Sequence, residues 1–412
     1  MRSPRRRSYH IAIKPSAMPR EVHLMSTRAI GKSVLMIACV LSTYGILSCG
    51  VLRWNSMSDA AENEAITIGA VLPLTGEAAH WGIPVRNGAE MAVDEINRAG
   101  GIGDRKLALV VEDDRCRPAD GVSAFDKIMA TANPAAVLGA VCSGVTLAIA
   151  PLAESRKTVL VSPASTSPKI TDAGDFVFRV IFSGSLRAKV FAEYIHDDRG
   201  LRRLAVLYIN NEGGIGGSSS FKVQFTQLGG TVVLEETYAQ GATDVRAQLT
   251  RIKAAHPDGI VVGSYPPDTV LVLRQARELG LQLPLFLTTE AVENAEVLRQ
   301  AGDAADGVVY ILAAPAAGEA PDRFAAAYDA KFGKKPELFA AEGYDVVRLI
   351  AAAIAAANRA PPSGPGIRDF LYRVRNYPGA SGVITFDRNG DVVKPFAIKT
   401  IEAGRAKVIL VK

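Results

Sequence analysis

From residue 66 to the C-terminus, short apolar runs alternate with amphipathic stretches, and no other feature narrows the folding options of this chain as much. Ile66–Leu72, Leu107–Glu112, Ala135–Val141 and Thr158–Val161 read as strands, separated by helical patterns over Val85–Ala99, Ala119–Thr131 and Val145–Arg156. Strands spaced by helices form parallel sheets with crossover connections. The runs are apolar throughout, as strands are when helices cover both faces of a sheet. After Phe176–Val180 a second series begins with a helix over Leu186–Asp197. Strands follow at Leu204–Ile209, Thr231–Glu235, Gly259–Gly263, Leu285–Thr288 and Val308–Leu312, with helices near Ser219–Leu228, Val245–Ala255 and Asp268–Leu279 between the first four. The chain returns to helices at Asp322–Phe332, Ala340–Asn358 and Ile367–Val374. A β-rich tail closes it: Gly382–Phe386, a turn at Asp387–Gly390, then Phe396–Thr400 and Val408–Val411. The fold class is α/β. Two like-built halves crossed several times by the chain predict two Rossmann-like lobes joined by a hinge, with a cleft between. Residues 65–181 and 315–385 are assigned to lobe I, and 182–314 and 386–412 to lobe II.

The first 64 residues stand apart. Residues 1–48 hold eight Lys/Arg and one acid, Glu21; without them the chain has 39 basic and 41 acidic residues, so the net charge of +5 belongs to this leader. A body so balanced offers no electrostatic case for nucleic acid. Arg28 and Lys32 precede an apolar run from Ser33 to Ser48. At about 15 residues it is short for a membrane span and suits an export signal. Ile46-Leu47-Ser48-Cys49 is similar to a bacterial lipobox, in which the cysteine is lipidated and becomes the new N-terminus; Ile46 stands where leucine is preferred. Residues 1–48 are thus read as a lipoprotein signal peptide and 49–64 as a tether. The protein is expected in the periplasm or at the cell surface, touching the membrane only through a lipid on Cys49. The alternative is an ordinary signal peptide with an incidental cysteine, and Met25 is a more usual start than Met1.

Cys39 and Cys49 belong to that leader, which leaves Cys116 and Cys142, 26 residues apart at the ends of neighbouring predicted strands. In an exported protein such a pair invites one disulfide. The chain-entropy model assigns a loop of this length roughly 3–4 kcal/mol. Two free core thiols are the alternative.

Three pieces put small polar groups just past a strand end, where open parallel sheets bind ligands. They are Glu112–Cys116, Val141–Gly144 and Ser162–Thr166. Ser143 occupies a helix start, where serine caps the helix by accepting a backbone N–H. The same place, with its free N–H groups and dipole, suits a carboxylate. Ser162-Pro163-Ala164-Ser165-Thr166 is locally a turn-rich loop whose hydroxyls and backbone groups are available to the same ligand. Trp81 falls in a loop after the first strand, either as a packing lid or as a ring facing the ligand. Glu290 ends a strand of the second series, where it is either solvated or neutralises a cation in the cleft. Tyr265 sits at an equivalent strand end. Gly213-Gly214-Ile215-Gly216-Gly217 suggests a dinucleotide loop, but the pattern needs glycine where Ser219 stands. Beyond the leader only His80, His196 and His256 remain, none at metal-ligand spacing, and no nucleophile elbow is present. No catalytic residue, metal or cofactor is expected.

At these residues the chain resembles a family. Ile68–Gly76, Asn87–Asn97, Ala99–Ile102, the Glu-Asp-Asp-x-Cys run, Val-Cys-Ser-Gly and Ser-Pro-Ala-x-Thr stand in the order found in periplasmic branched-chain amino acid (Leu/Ile/Val) binding proteins. These are the solute receptors of ABC importers. The resemblance covers about residues 65–400 and continues through Phe176–Val180, Leu273–Arg277, Glu290 and Thr385–Gly390. It implies the type I periplasmic binding protein fold and a monomeric, non-enzymatic receptor that delivers an amino acid to an ABC permease of the inner membrane. It also implies roles. Ser143 and Thr166 would hold the α-carboxylate, with Ser165 counted beside them, and the Ala164 carbonyl and Glu290 would take the α-ammonium. Trp81 and Tyr265 would line the side-chain pocket, and Cys116–Cys142 matches the family's disulfide. One departure stands out: the family often carries an aromatic-Gly pair after the first strand of lobe II, and here Asn210–Gly217 contains no aromatic. Rival readings are a ligand sensor on the same fold, a receptor for an amide or small carboxylate, and an exported hydrolase, for which an activated nucleophile is missing.

Overall fold

The computed structural model describes residues 65–337, 339–357 and 362–412. The signal, the tether and Cys49 lie outside the described residues. The first lobe is built from β1 (Ile66–Leu72), α1 (Ala79–Arg98), β2 (Leu107–Asp113), α2 (Pro118–Ala132), β3 (Ala136–Gly139), α3 (Ser143–Arg156), β4 (Val159–Ser162) and β5 (Val177–Arg179). Its five strands are all parallel, in the order β2-β1-β3-β4-β5. β3 and β4 are buried at every residue, as expected of strands covered on both faces.

The second lobe follows as α4 (Gly184–Glu193), β6 (Arg203–Ile209), α5 (Glu212–Gln227), β7 (Thr231–Tyr238), α6 (Arg246–Ala254), β8 (Gly259–Gly263), α7 (Pro266–Glu278), β9 (Leu285–Leu287), α8 (Ala295–Ala301) and β10 (Val309–Ala313). The chain then crosses back through α9 (Glu319–Phe332), α10 (Ala340–Ala356), α11 (Gly364–Leu371) and the small ribbon β11 (Tyr377–Gly379) with β12 (Gly382–Ile384). It ends in β13 (Phe396–Glu402) and β14 (Arg405–Val411), which extend the second sheet. That sheet has the order β14-β13-β10-β9-β8-β6-β7, with β13 antiparallel to β10. Phe386 and Val392 lie in the core of the first lobe and Phe396 in that of the second. The last crossing therefore falls after Val392, later than residue 386, because the turn at 387–391 docks on β5 through Arg179 N–H donating to the Gly390 carbonyl (3.0 Å).

Two local expectations are corrected. Trp81 is not in a loop: α1 starts at Ala79, six residues earlier than the amphipathic pattern. Gly82 makes this possible, since a Cβ there would meet the Pro73 carbonyl oxygen at 1.9 Å. Gly213–Gly217 is not a loop either. All four glycines lie in the first turns of α5, whose N-cap Asn211 accepts the Gly214 N–H at 2.9 Å. Glycine is a poor helix former; here close packing demands it, because a Cβ on Gly214 would meet the Ile209 carbonyl oxygen at 2.1 Å.

Helices α1 and α10 cross on the first lobe with a glycine from each at the contact. A Cβ on Gly88 would meet the Ala340 carbonyl oxygen at 1.9 Å, and one on Gly343 the Val85 carbonyl oxygen at 2.3 Å. Backbone cannot move aside as a side chain can. Gly88→Ala is expected to destabilise the fold by about 1–3 kcal/mol, the usual range for overpacking; an unchanged urea midpoint would refute this contact.

Candidate ligand-binding site

The strand ends of both sheets contribute to one cavity. Trp81, Ser143, Ala164 and Thr166 line it from the first lobe, and Tyr265 and Glu290 from the second, so six of the seven residues singled out in the sequence come together. Ser165 does not. It is fully buried, with its hydroxyl within 2.9 Å of the Ala140 carbonyl and 2.8 Å of the Thr146 hydroxyl. Its position in the loop pointed it toward the ligand; its side chain instead ties that loop to the end of β3.

The first-lobe half is a preorganised polar loop. Ser162 Oγ donates to the Ala140 carbonyl (2.7 Å) and accepts the Ser165 N–H (2.9 Å). Ser143 is not the N-cap of α3, as expected; Cys142 holds that position without a side-chain cap. The Ser143 hydroxyl accepts the Ser167 N–H (3.1 Å). The N-cap role fails because the serine hydroxyl is turned across to the neighbouring loop.

Beneath that loop lies Arg179, with no exposed side-chain surface. Its Nε and Nη2 grip both oxygens of Asp391 (2.5 and 2.7 Å), Nη1 donates to the Ser167 carbonyl (2.9 Å), and Nη2 also reaches Thr171 Oγ1 (2.7 Å). Every arm of this fork has an acceptor, as a buried guanidinium requires. Cys116 and Cys142 form the disulfide, with Cα atoms 5.5 Å apart. The acidic run before Cys116 is structural. Glu112 pairs with Lys127 (2.8 Å), Asp113 Oδ1 accepts the Leu74 N–H (2.9 Å), and Asp114, whose carboxyl burial pushes up to about 7, accepts the Cys116 N–H (2.7 Å).

The second-lobe half sets one acid, Glu290, and one cation, Arg187, among the apolar Phe182 and Ile209, the Tyr265 ring and the hydroxyls of Ser264, Thr288 and Thr289. The Tyr265 ring stands edge-on to Trp81 with centroids 4.7 Å apart, an aromatic contact that joins the two lobes. Phe339 flanks Trp81 at 6.1 Å. Burial raises the Tyr265 hydroxyl to about 12, so it stays a neutral donor, and lowers neighbouring His80 to about 4, so that it too is uncharged. Glu290 is only 7% exposed. Burial raises its carboxyl above the usual range, an effect that the Arg187 charge opposes.

Three cavity residues had no signal in the sequence: Phe182, Arg187 and Phe339. Phe182 and Arg187 follow a lobe crossing and belong to no strand-end motif. Phe339 precedes α10 in a left-handed conformation (φ 66°), which nothing in its local sequence announces. The Gly-rich start of α5 lines the cavity through Gly213, Gly214 and Gly217. No side chain stands there, so the missing aromatic is replaced by open room: nothing lies within 4 Å of a Cβ on Gly217.

Comparison with known proteins agrees with this geometry. Residues 65–406 match the family described as periplasmic binding protein. The chain is similar to the Leu/Ile/Val-binding protein BraC3 of Rhizobium johnstonii, 32% identical over 82% of this chain and 92% of that protein. Among solved structures it is similar to a leucine binding protein of Thermotoga maritima, with TM-score 0.78, 29% identity and coverage of 84% of this chain and 98% of that one. It is also similar to LivJ of Streptococcus pneumoniae in complex with isoleucine, with TM-score 0.75, 28% identity and coverage of 84% and 99%.

Proposed function

This chain belongs to the periplasmic binding protein family, in its branched-chain amino acid group, and from that membership we propose that its cleft receives a branched-chain α-amino acid and presents it to an ABC importer. The observation that carries this reading is the composition of one cavity. Ser143 and Thr166 stand on one lobe beside the start of α3, and a buried carboxylate, Glu290, stands on the other. A zwitterion needs both an anion site and a cation site, since a charge buried alone is costly. Ser143, Thr166 and the helix N-terminus receive the α-carboxylate; the Ala164 carbonyl and Glu290 receive the ammonium. Trp81, Tyr265, Ile209 and Phe339 surround the aliphatic side chain. Because the two halves sit on different lobes, binding favours the closed form, which the permease then recognises.

The relatives are binding proteins, and in this reading the ligand leaves unreacted. Among the described residues no group of three or more His, Cys, Asp or Glu is placed to hold a metal, and no helix is long and apolar enough to cross a membrane. The apolar run Ser33–Ser48 and Cys49, read as an export signal and lipobox, support a receptor tethered outside the cytoplasm by a lipid. Purified mature protein tests the reading directly. Leucine, isoleucine or valine at about one hundred times its dissociation constant stabilises the folded state by about 2.7 kcal/mol, which raises the melting temperature of a body this size by roughly 3–4 °C. A panel of α-amino acids that produces no shift overturns the proposal.

A further inference from the structure

The cavity is lined by a buried arginine, Arg187, whose fork, unlike that of Arg179 beneath the loop, is nearly empty. Arg187 lies one turn into α4, and its guanidinium opens on the cavity shared by Thr166 and Glu290. The residue is 7% exposed. The one hydrogen bond of its side chain among the described residues is a long one, 3.5 Å, from Nη2 to Thr166 Oγ1. No carboxylate among the described residues lies within ion-pair distance of it; Glu290 acts on its charge only from further away. The Phe182 ring lies under the guanidinium at 5.5 Å. The arginine is held in place: Gly184 N–H donates to the Thr166 carbonyl (2.7 Å), which fixes the start of α4 against the loop carrying Thr166.

A guanidinium removed from water without an anion is costly, and its planar pair of N–H groups matches a carboxylate. We propose that Arg187 is a further ligand-binding residue that takes the ligand's carboxylate in a two-point contact from lobe II, beside Thr166 of lobe I, and so makes the site selective for α-amino acids over their amides. This rests on the amino-acid reading above and deepens it. The charges then balance: Arg187 faces the carboxylate, Glu290 faces the ammonium, and the zwitterion adds no net charge. An amide offers no anion, and its ammonium brings a second cation to a site with one carboxylate. The contact also spans the lobes, so the carboxylate itself helps to close the cleft.

The test compares leucine, leucinamide and isocaproate by titration calorimetry on the wild-type protein, Arg187→Gln and Arg187→Lys. Wild type is expected to favour leucine over leucinamide, and Arg187→Gln to weaken leucine by about 10- to 100-fold while leaving leucinamide nearly unchanged, so that the preference shrinks. Arg187→Lys, which keeps the charge and loses the two-point geometry, falls between. If Arg187→Gln does not fold, a narrowed preference in Arg187→Lys carries the same conclusion. An equal loss for leucine and leucinamide marks a merely structural residue and overturns the assignment. A wild type that holds leucine and leucinamide alike overturns it too, with the amino-acid reading intact. A wild type that binds isocaproate and no amino acid overturns that reading, while a loss of isocaproate in Arg187→Gln still supports the arginine's role.

Discussion

Arg179→Met is expected to lower the stability of the protein by about 3–5 kcal/mol, the cost of leaving one partner of a buried ion pair alone. Asp391, 7% exposed, would lose both hydrogen bonds from the arginine. The pair joins β5 to the turn that precedes the last lobe crossing, 212 residues away in sequence, so its loss frees a long-range tie. The damage reaches the site. Arg179 also holds the Ser167 carbonyl (2.9 Å), and the Ser167 N–H is what the Ser143 hydroxyl accepts. Leucine affinity should therefore fall along with the melting temperature. The double variant Arg179→Met, Asp391→Leu should recover much of the stability, because apolar pairs replace buried ion pairs at little cost. Urea unfolding of the three proteins measures this; a single variant with the wild-type midpoint would remove the ion pair from any account of stability.

Glu290→Gln carries the second large effect, and stability and binding should move in opposite directions. In the unliganded protein the carboxylate is buried, and its raised titration range reflects the cost of keeping it charged there. A neutral amide of the same shape relieves that cost, so the unliganded variant should melt at the wild-type temperature or above. Binding should suffer heavily, because the ligand's ammonium loses its buried counter-charge. Truncating one partner of such a pair costs about 2–5 kcal/mol, or roughly 30- to 5,000-fold in dissociation constant. Calorimetry with leucine and a melt without ligand read the two effects separately. Leucine affinity within twofold of wild type would exclude Glu290 from the ammonium site.

Which parts of this were legible in the chain follows from the range of the forces involved. Strands β1, β3, β4, β6, β8 and β9 were visible as apolar runs because covered parallel strands need both faces apolar. Ser143, Ala164, Thr166, Tyr265 and Glu290 were visible because the ends of such strands are where a sheet meets its ligand. Trp81 lines the cavity but was wrongly placed in a loop. Its helix begins where Gly82 passes Pro73, a contact between residues that no helical periodicity records.

Local pattern alone thus determined the α/β class, the two-lobed division and the strand-end residues, since each depends on neighbours within one element. Tertiary structure alone decided that Ser165 turns inward and that the Gly-rich segment is the start of a helix lining the cavity. It alone brought Arg187 to Thr166, and it moved the last lobe boundary past Val392. These outcomes depend on what the folded chain sets opposite each residue, and hydrogen-bond partners and steric limits supplied from another element leave no periodic trace in the sequence.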